Sequence, residues 1–192
     1  MPVPDVPVPD VPVPGRAAGT PVAHPGAPRD AGAGPGRAVV VTASDRAAAG
    51  VYADRSGPVL VGALRGLGFT VGDALVVPDG EPVEAALRDA LAAGAALVVT
   101  TGGTGLSPRD RTPEMTRRVL DREVPGVAEA LRADGVARGV PAAMLSRGVA
   151  GVAGRTFVVN VAGSTGAARD AAELLGPVLL HAVQQLRGAD HG

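Results

Sequence analysis

The sequence predicts an α/β protein: a mostly parallel sheet with helices on both faces. Two observations lead there. Short β-branched runs alternate with stretches whose apolar residues recur at helical spacing, the pattern of strands joined through crossover helices. Two of the runs, ending at Thr100 and Val161, break directly into loops of glycine and hydroxyl residues, as α/β proteins do where backbone N–H groups meet a ligand at the carboxyl edge of the sheet.

Residues 1–36 stand outside this pattern. A Val-Pro repeat surrounds Val6-Pro7-Val8-Pro9-Asp10, and ten of the eighteen prolines precede Arg37. Alternate prolines remove backbone donors and favour extended polyproline II, so a disordered extension is expected. A ligand for a proline-reading domain is the other reading of this segment. The folded domain is expected over residues 37–187, with 188–192 as a tail.

Arg37 to Ser44, a β-branched run closing on small polar residues, predicts the first strand. Asp45 to Gly57 reads as a flexible polar loop. Leu60, Ala63, Leu64 and Leu67 follow at helical spacing, with Gly68 placed as the C-terminal cap. Phe69 to Val77 is a second strand stopped by Pro78-Asp79-Gly80. Pro82 suits the first turn of the next helix, which buries Val83, Ala86, Leu87, Ala90 and Leu91 and ends at Gly94. Ala95 to Thr100 is the third strand. Short helices are expected over 113–120 and 125–137. Ala142–Val149 and Arg155–Val161 read as extended runs of a hairpin linked through Ala150–Gly154. A last helical region spans 167–187, with a break expected at Gly176-Pro177 because an interior proline forfeits a helix hydrogen bond.

Composition narrows the chemistry. The chain has no Cys and no Lys, and all eighteen basic residues are Arg. Thiolate chemistry, disulfides, Schiff bases and a P-loop lysine are therefore excluded. His24, His181 and His191 lie far apart, which argues against a histidine metal site or a Ser-His-Asp triad; His181 reads best as a partly buried helix residue. What remains is carboxylates, guanidinium groups, hydroxyls and backbone amides, an inventory suited to phosphate chemistry with a hard cation. A net charge of −1 gives no reason to expect nucleic acid or an anionic membrane as partner. No apolar run reaches the roughly 20 residues that cross a bilayer, and the N-terminus lacks the pattern of a signal peptide, so a cytoplasmic location is expected.

Four segments are expected at the carboxyl edge: Thr42–Arg46, Pro78–Gly80, Thr101–Asp110 and Asn160–Gly166. Asp45, Asp79 and Asp110 are their carboxylates, and two acids facing the same phosphates would share Mg²⁺ between them. Each has a plainer reading. Gly102-Gly103-Thr104-Gly105 is compatible with an ordinary tight turn, and Asp79 with the turn residue of Pro-Asp-Gly. Asp110 between Arg109 and Arg111 is compatible with a surface ion pair, Asp45-Arg46 with a solvated loop pair, and Ser146-Arg147 with edge-strand polarity.

Taken together, the segments resemble the MogA/MoaB family of molybdenum-cofactor biosynthesis, which includes the gephyrin G domain. The resemblance rests on Val40–Arg46 with Gly50–Asp54, on Pro78-Asp79, and on Thr100–Gly105 with Arg109–Glu114. Pro125-Gly126, Met144–Arg147 and Asn160–Ser164 continue it in the family's order. It implies a three-layer α/β/α sandwich, usually a homotrimer, that adenylylates molybdopterin with ATP and Mg²⁺ and releases pyrophosphate. Other molybdenum-cofactor enzymes are its implied partners. Carried onto this chain, the resemblance makes Asp79 and Asp110 the catalytic, metal-holding acids. Ser44, Asp45, Thr101, Gly102, Gly103, Thr104 and Gly105 would hold the nucleotide and its phosphates. Ser146, Arg147, Asn160, Gly163 and Ser164 would form the molybdopterin side.

The family turn reads Asn-x-Pro-Gly-x-Pro; here Ala162 and Thr165 replace both prolines. The turn is expected to close on Gly163 and Ser164 without them. Three functions compete: an adenylyltransferase, favoured by Asp79 and Asp110; a non-catalytic molybdopterin-binding or scaffold protein, favoured by the altered turn; and a CinA-type nucleotide-pyrophosphate hydrolase, given less weight because that group's extra domains are not expected here.

Overall fold

A computed structural model describes residues 34–188; residues 1–33 of the expected 1–36 extension and 189–192 of the expected tail lie outside them. Its sheet is built from β1 (Arg37–Ala43), β2 (Thr70–Val71), β3 (Leu75–Val77), β4 (Leu97–Thr101), β5 (Arg122–Glu123), β6 (Ala150–Ala153) and β7 (Thr156–Val161). The helices are α1 (Asp45–Ala48), α2 (Ser56–Gly66), α3 (Glu81–Ala92), α4 (Thr112–Arg117), α5 (Pro125–Ala137) and α6 (Thr165–Leu186), with a 3₁₀ turn at Pro141–Leu145.

The strand order is β2-β1-β4-β7-β6-β5, and β3 also pairs with β1. Pairing is parallel from β2 and β3 through β1 and β4 to β7, and antiparallel for β7-β6 and β6-β5. Register explains the layers. Val40, Val99 and Val159 lie side by side and meet the apolar faces of α2 and α6, with Val127 of α5. One residue along, the side chains point the other way: Val41, Val98 and Val158 meet Val83 and Leu87 of α3 and Met115 of α4. Period-two alternation thus feeds two cores, one on each face, and the chain is the expected three-layer sandwich. At the carboxyl edge the same register sets Thr42, Thr101 and Val161 in a row.

Four expectations change. The run from Phe69 to Val77 is two short strands, because the exposed Gly72 and Asp73 interrupt it. Part of the loop after Ser44 is helix: Ser44 caps α1, accepting from the Ala47 N–H at 3.2 Å. The Ala150–Ala153 link is itself strand β6, so the hairpin turns at Gly154-Arg155, while the expected run from Ala142 begins in the 3₁₀ turn. Gly151 belongs there because β5 comes so close: a Cβ would lie 2.4 Å from the Arg122 carbonyl.

Helix α6 also runs unbroken through Pro177. A mid-helix proline costs about 3 kcal/mol. Leu179 and Val183, both buried beyond it, return about 1.5–3 kcal/mol each by leaving water. Pro177 and Glu173, whose carbonyl loses its partner, are both exposed residues, on the side of the helix away from the core. Packing on both sides of the proline outweighs its local cost.

Candidate active site

The carboxyl edge opens into a cleft of about 930 Å³, within the range that holds small-molecule ligands. β4 delivers Thr101 into it, and the chain then turns through Gly102 and Gly103 at φ of +96° and +61°. Both glycines are demanded by space as well as by backbone. A Cβ on Gly102 would stand 2.2 Å from the Ala43 carbonyl of β1. A Cβ on Gly103 would stand 2.2 Å from Asp79 Oδ1 and 2.3 Å from Thr112 Oγ1. The loop therefore lies directly over the acid that follows β3.

Asp79 is held from its backbone: its N–H donates to Asp45 Oδ1 at 3.1 Å, while Arg109 approaches the other Asp45 oxygen at 3.8 Å. The Asp79 Oδ1 atom is buried and has no partner, and the Thr112 hydroxyl beside the same glycine is likewise buried and unpaired. Burial raises the Asp79 pKa above its ordinary 3.8, and the charges of Asp45 and Asp110 add to the rise. Asp110 closes its own turn: its Oδ2 accepts from the Ser107 N–H, and its N–H donates to the Ser107 carbonyl, each at 2.9 Å. A side chain on Gly105 would crowd Asp110 Oδ2 at 2.8 Å. Two acids, Asp79 and Asp110, thus meet one glycine loop, with Asp45 behind Asp79. No three metal-ligating side chains converge as a ready-made cage among the described residues.

The second glycine turn closes without prolines. The Gly102 N–H donates to the Val161 carbonyl at 3.1 Å, and Thr101 Oγ1 donates to the Ala162 carbonyl at 3.1 Å. A Cβ on Gly163 would lie 3.0 Å from Gly102 Cα, so the two turns touch. Ser164 caps α6, its Oγ accepting from the Ala167 N–H at 3.1 Å.

Of the residues singled out in the sequence, Ser44, Asp79, Thr101 to Gly105, Asp110, Ser146, Gly163 and Ser164 line the cleft. Asp45 lies behind Asp79 as its support. Arg147 and Asn160 are placed differently from expectation. Asn160 is buried, its Oδ1 accepting from the Val149 N–H at 3.1 Å and its Nδ2 donating to Thr100 Oγ1 and Thr116 Oγ1, each at 2.9 Å. It ties β7 to β4 and α4 and offers nothing to the cleft. Nor does Arg147 line the cleft: its guanidinium donates to the Gly105 carbonyl at 2.7 Å, to the Asp110 carbonyl and to Glu114. Burial opposes ionisation of Glu114, yet Arg147 holds its pKa below the ordinary 4.5.

Sequence reading missed three parts of the site. Tyr52 meets Ser44, hydroxyl to hydroxyl, at 2.8 Å. Asp54 accepts from Thr42 Oγ1 at 2.7 Å and from the Ser56 and Gly57 N–H groups at the start of α2; an acid two residues before a helix was its legible signal. Val140, Ala142, Ala143 and Leu145 supply an apolar wall, which polarity-based searching passes over.

A glycine loop at the carboxyl edge of a parallel sheet, with acids beneath it, stands where open α/β proteins take their ligands. Comparison with known proteins narrows the class. The family described as "probable molybdopterin binding domain" matches residues 39–181, and the chain belongs to it, within the MogA/MoaB group of molybdenum-cofactor biosynthesis proteins. It is 42% identical over 157 residues to the molybdenum cofactor biosynthesis bifunctional protein of Synechococcus elongatus, covering 81% of this chain and 49% of that one. It is 42% identical over 94 residues to the molybdopterin adenylyltransferase of Pyrococcus furiosus, covering 49% and 55%. The chain spans about half the length of these curated relatives. The solved molybdopterin biosynthesis Mog protein of Mycobacterium ulcerans superimposes with a TM-score of 0.74 at 48% identity, covering 78% of this chain and 98% of that one.

Proposed function

We propose that this chain adenylylates molybdopterin with ATP, giving adenylyl-molybdopterin and pyrophosphate. One observation carries the reading: a buried, unpartnered Asp79 oxygen lies under the Gly103 turn, beside Asp110, in a cleft of about 930 Å³. Burying an unpaired carboxylate oxygen is costly unless something binds it. Mg²⁺ accepts one or two carboxylates and completes its shell with water and phosphate oxygens, so Asp79 and Asp110 fit as its ligands. When bound, the ion supplies neutralisation of phosphate charge.

The remaining work falls to the chain. Main-chain N–H groups of Gly103, Thr104 and Gly105 receive the nucleotide phosphates, the Gly102 N–H being held by the Val161 carbonyl, and the glycines let the phosphates approach closely. Ser44 offers a hydroxyl on the nucleotide side, where the buried Thr101 spends its own on the Ala162 carbonyl; Ser146 and Ser164 offer theirs opposite, beside the apolar wall. The terminal phosphate oxygen of molybdopterin attacks the α-phosphorus of ATP. That P–O bond forms as the bond to the bridging oxygen breaks, and pyrophosphate leaves with the electron pair. The nucleophile is already anionic, so no general base is needed, and the absence of Cys and Lys, and of a His lining the cleft among the described residues, costs nothing. Alignment and electrostatics carry the rate.

The test is direct. Purified protein with molybdopterin, ATP and Mg²⁺ should release pyrophosphate and adenylylated pterin in equal amounts, and Asp79→Asn and Asp110→Asn should each abolish both. Tight binding of both substrates without pyrophosphate release would reject the enzyme and establish the non-catalytic binding protein instead.

A further inference from the structure

The guanidinium of Arg147 spends its donors on the protein. Nε donates to the Gly105 carbonyl at 2.7 Å, Nη2 to the Asp110 carbonyl and Nη1 to Glu114 Oε1. Its own backbone N–H donates to the Thr104 carbonyl at 2.9 Å. Gly105 and Asp110 are the two ends of an otherwise exposed loop, residues 106–109 facing solvent. Inside it, the Ser107–Asp110 bonds at 2.9 Å and a weaker one from the Arg109 N–H to Ser107 Oγ at 3.4 Å resist opening. Both loop ends and the first turn of α4 therefore converge on one planar cation, which lies off the cleft wall.

We propose that Arg147 is a positioning residue: it closes the Gly105–Asp110 loop and so fixes the Asp110 carboxylate in the cleft, without itself contacting substrate. Because Ser146, its neighbour, lies in the cleft with Oγ 3.4 Å from Thr104 Oγ1, the clamp also makes the 146–147 segment and the acidic loop one wall. A lysine cannot replace it. An ammonium is a point donor, whereas two carbonyls and a carboxylate here need the fixed fork of an arginine. The effect on turnover rests on the adenylylation reading; the clamp itself does not.

The experiment compares the full chain with Arg147→Lys and Arg147→Ala in two measurements. Amide hydrogen exchange, read at Ser107 and Asp110 in the ligand-free protein, should quicken at least about tenfold in both variants, with β4 and β7 unchanged. In the adenylylation assay kcat should fall by about 10- to 100-fold, the scale of an acid displaced by about an ångström, while KM for molybdopterin stays within about threefold. Unchanged exchange at Ser107 and Asp110 overturns the clamp. A raised KM with kcat preserved overturns it too, by making Arg147 a substrate contact. If Arg147→Ala does not fold, Arg147→Lys decides by the same readouts. If the wild type shows no adenylylation, that reading fails alone, and the exchange measurement still judges the clamp.

Discussion

Gly103→Ala separates the cost of a backbone conformation from the cost of moving an acid. Gly103 and Gly154 have nearly the same left-handed φ, +61° and +57°. An alanine held there pays about 1–2 kcal/mol at either position. A Cβ at Gly154 meets nothing within 4 Å, whereas at Gly103 it stands 2.2 Å from Asp79 Oδ1 and 2.3 Å from Thr112 Oγ1. Ordinary contact lies beyond about 3.4 Å, so both oxygens must retreat by about 1 Å. Thr112 is fully buried, and turning its side chain off its rotamer costs about 0.5–1.5 kcal/mol more. Gly154→Ala should therefore lower the melting temperature by about 2–8 °C, and Gly103→Ala by about 3–14 °C. Both should stay folded at room temperature. Turnover should diverge far more: near wild type for Gly154→Ala, and down about 100-fold or more for Gly103→Ala, because the clash is relieved by swinging the Asp79 carboxylate out of place. Melting curves and pyrophosphate release on the same preparations make the comparison. Turnover of Gly103→Ala within about threefold of Gly154→Ala would refute the placement of Asp79 beneath the loop.

Thr165→Pro should stabilise the protein by about 0.4–1 kcal/mol through the unfolded chain: Thr165 opens α6, where proline is favoured, and Ser164 before it is already extended at φ −82°, ψ 149°; a lower melting temperature would contradict the cap geometry. Because the folded-state pKa of Asp79 lies above 3.8, its stabilising contribution is complete below 3.8 and lost as pH rises through the raised value. Metal-free Asp79→Asn should thus be more stable than wild type at neutral pH, with the advantage shrinking toward pH 3.8; urea titrations across that range that show a constant difference would count against the burial of Asp79. Asn160→Ala should cost about 2 kcal/mol, since it strands a buried Val149 N–H and the buried Thr100 hydroxyl, while Thr116 keeps its bond to the Thr112 carbonyl, and it should leave molybdopterin affinity of the folded protein unchanged; calorimetry on the folded variant decides.

What the sequence made legible follows the physics of each segment. α5 begins at Pro125 and ends at Ala137 as expected, because its start carries a local signal that no neighbour overrides. β1 and β4 were equally plain, being β-branched and buried on both faces. β6 was not: Ala150-Gly151-Val152-Ala153 is small-residue chain whose strand character comes from being pinned between β5 and β7. Pro177 carried a correct local cost and a wrong outcome, since burial further along α6 is invisible to a local rule. At the site, the glycine loop and its acids could be read from residue type. Arg147 and Asn160 could not, because only the fold reveals that their donors are already taken.

The contact between Gly163 and Gly102 has a practical consequence. The second turn holds its shape by leaning on the first, about sixty residues away in sequence, and not through ring-locked torsions of its own. Its conformation is thus borrowed, and it cannot be transplanted alone. Grafting residues 160–166 onto another scaffold would carry over a limp peptide unless a bare backbone equivalent to Gly102 came with it. Anyone enlarging the cleft at position 163 must redesign both turns as a single part.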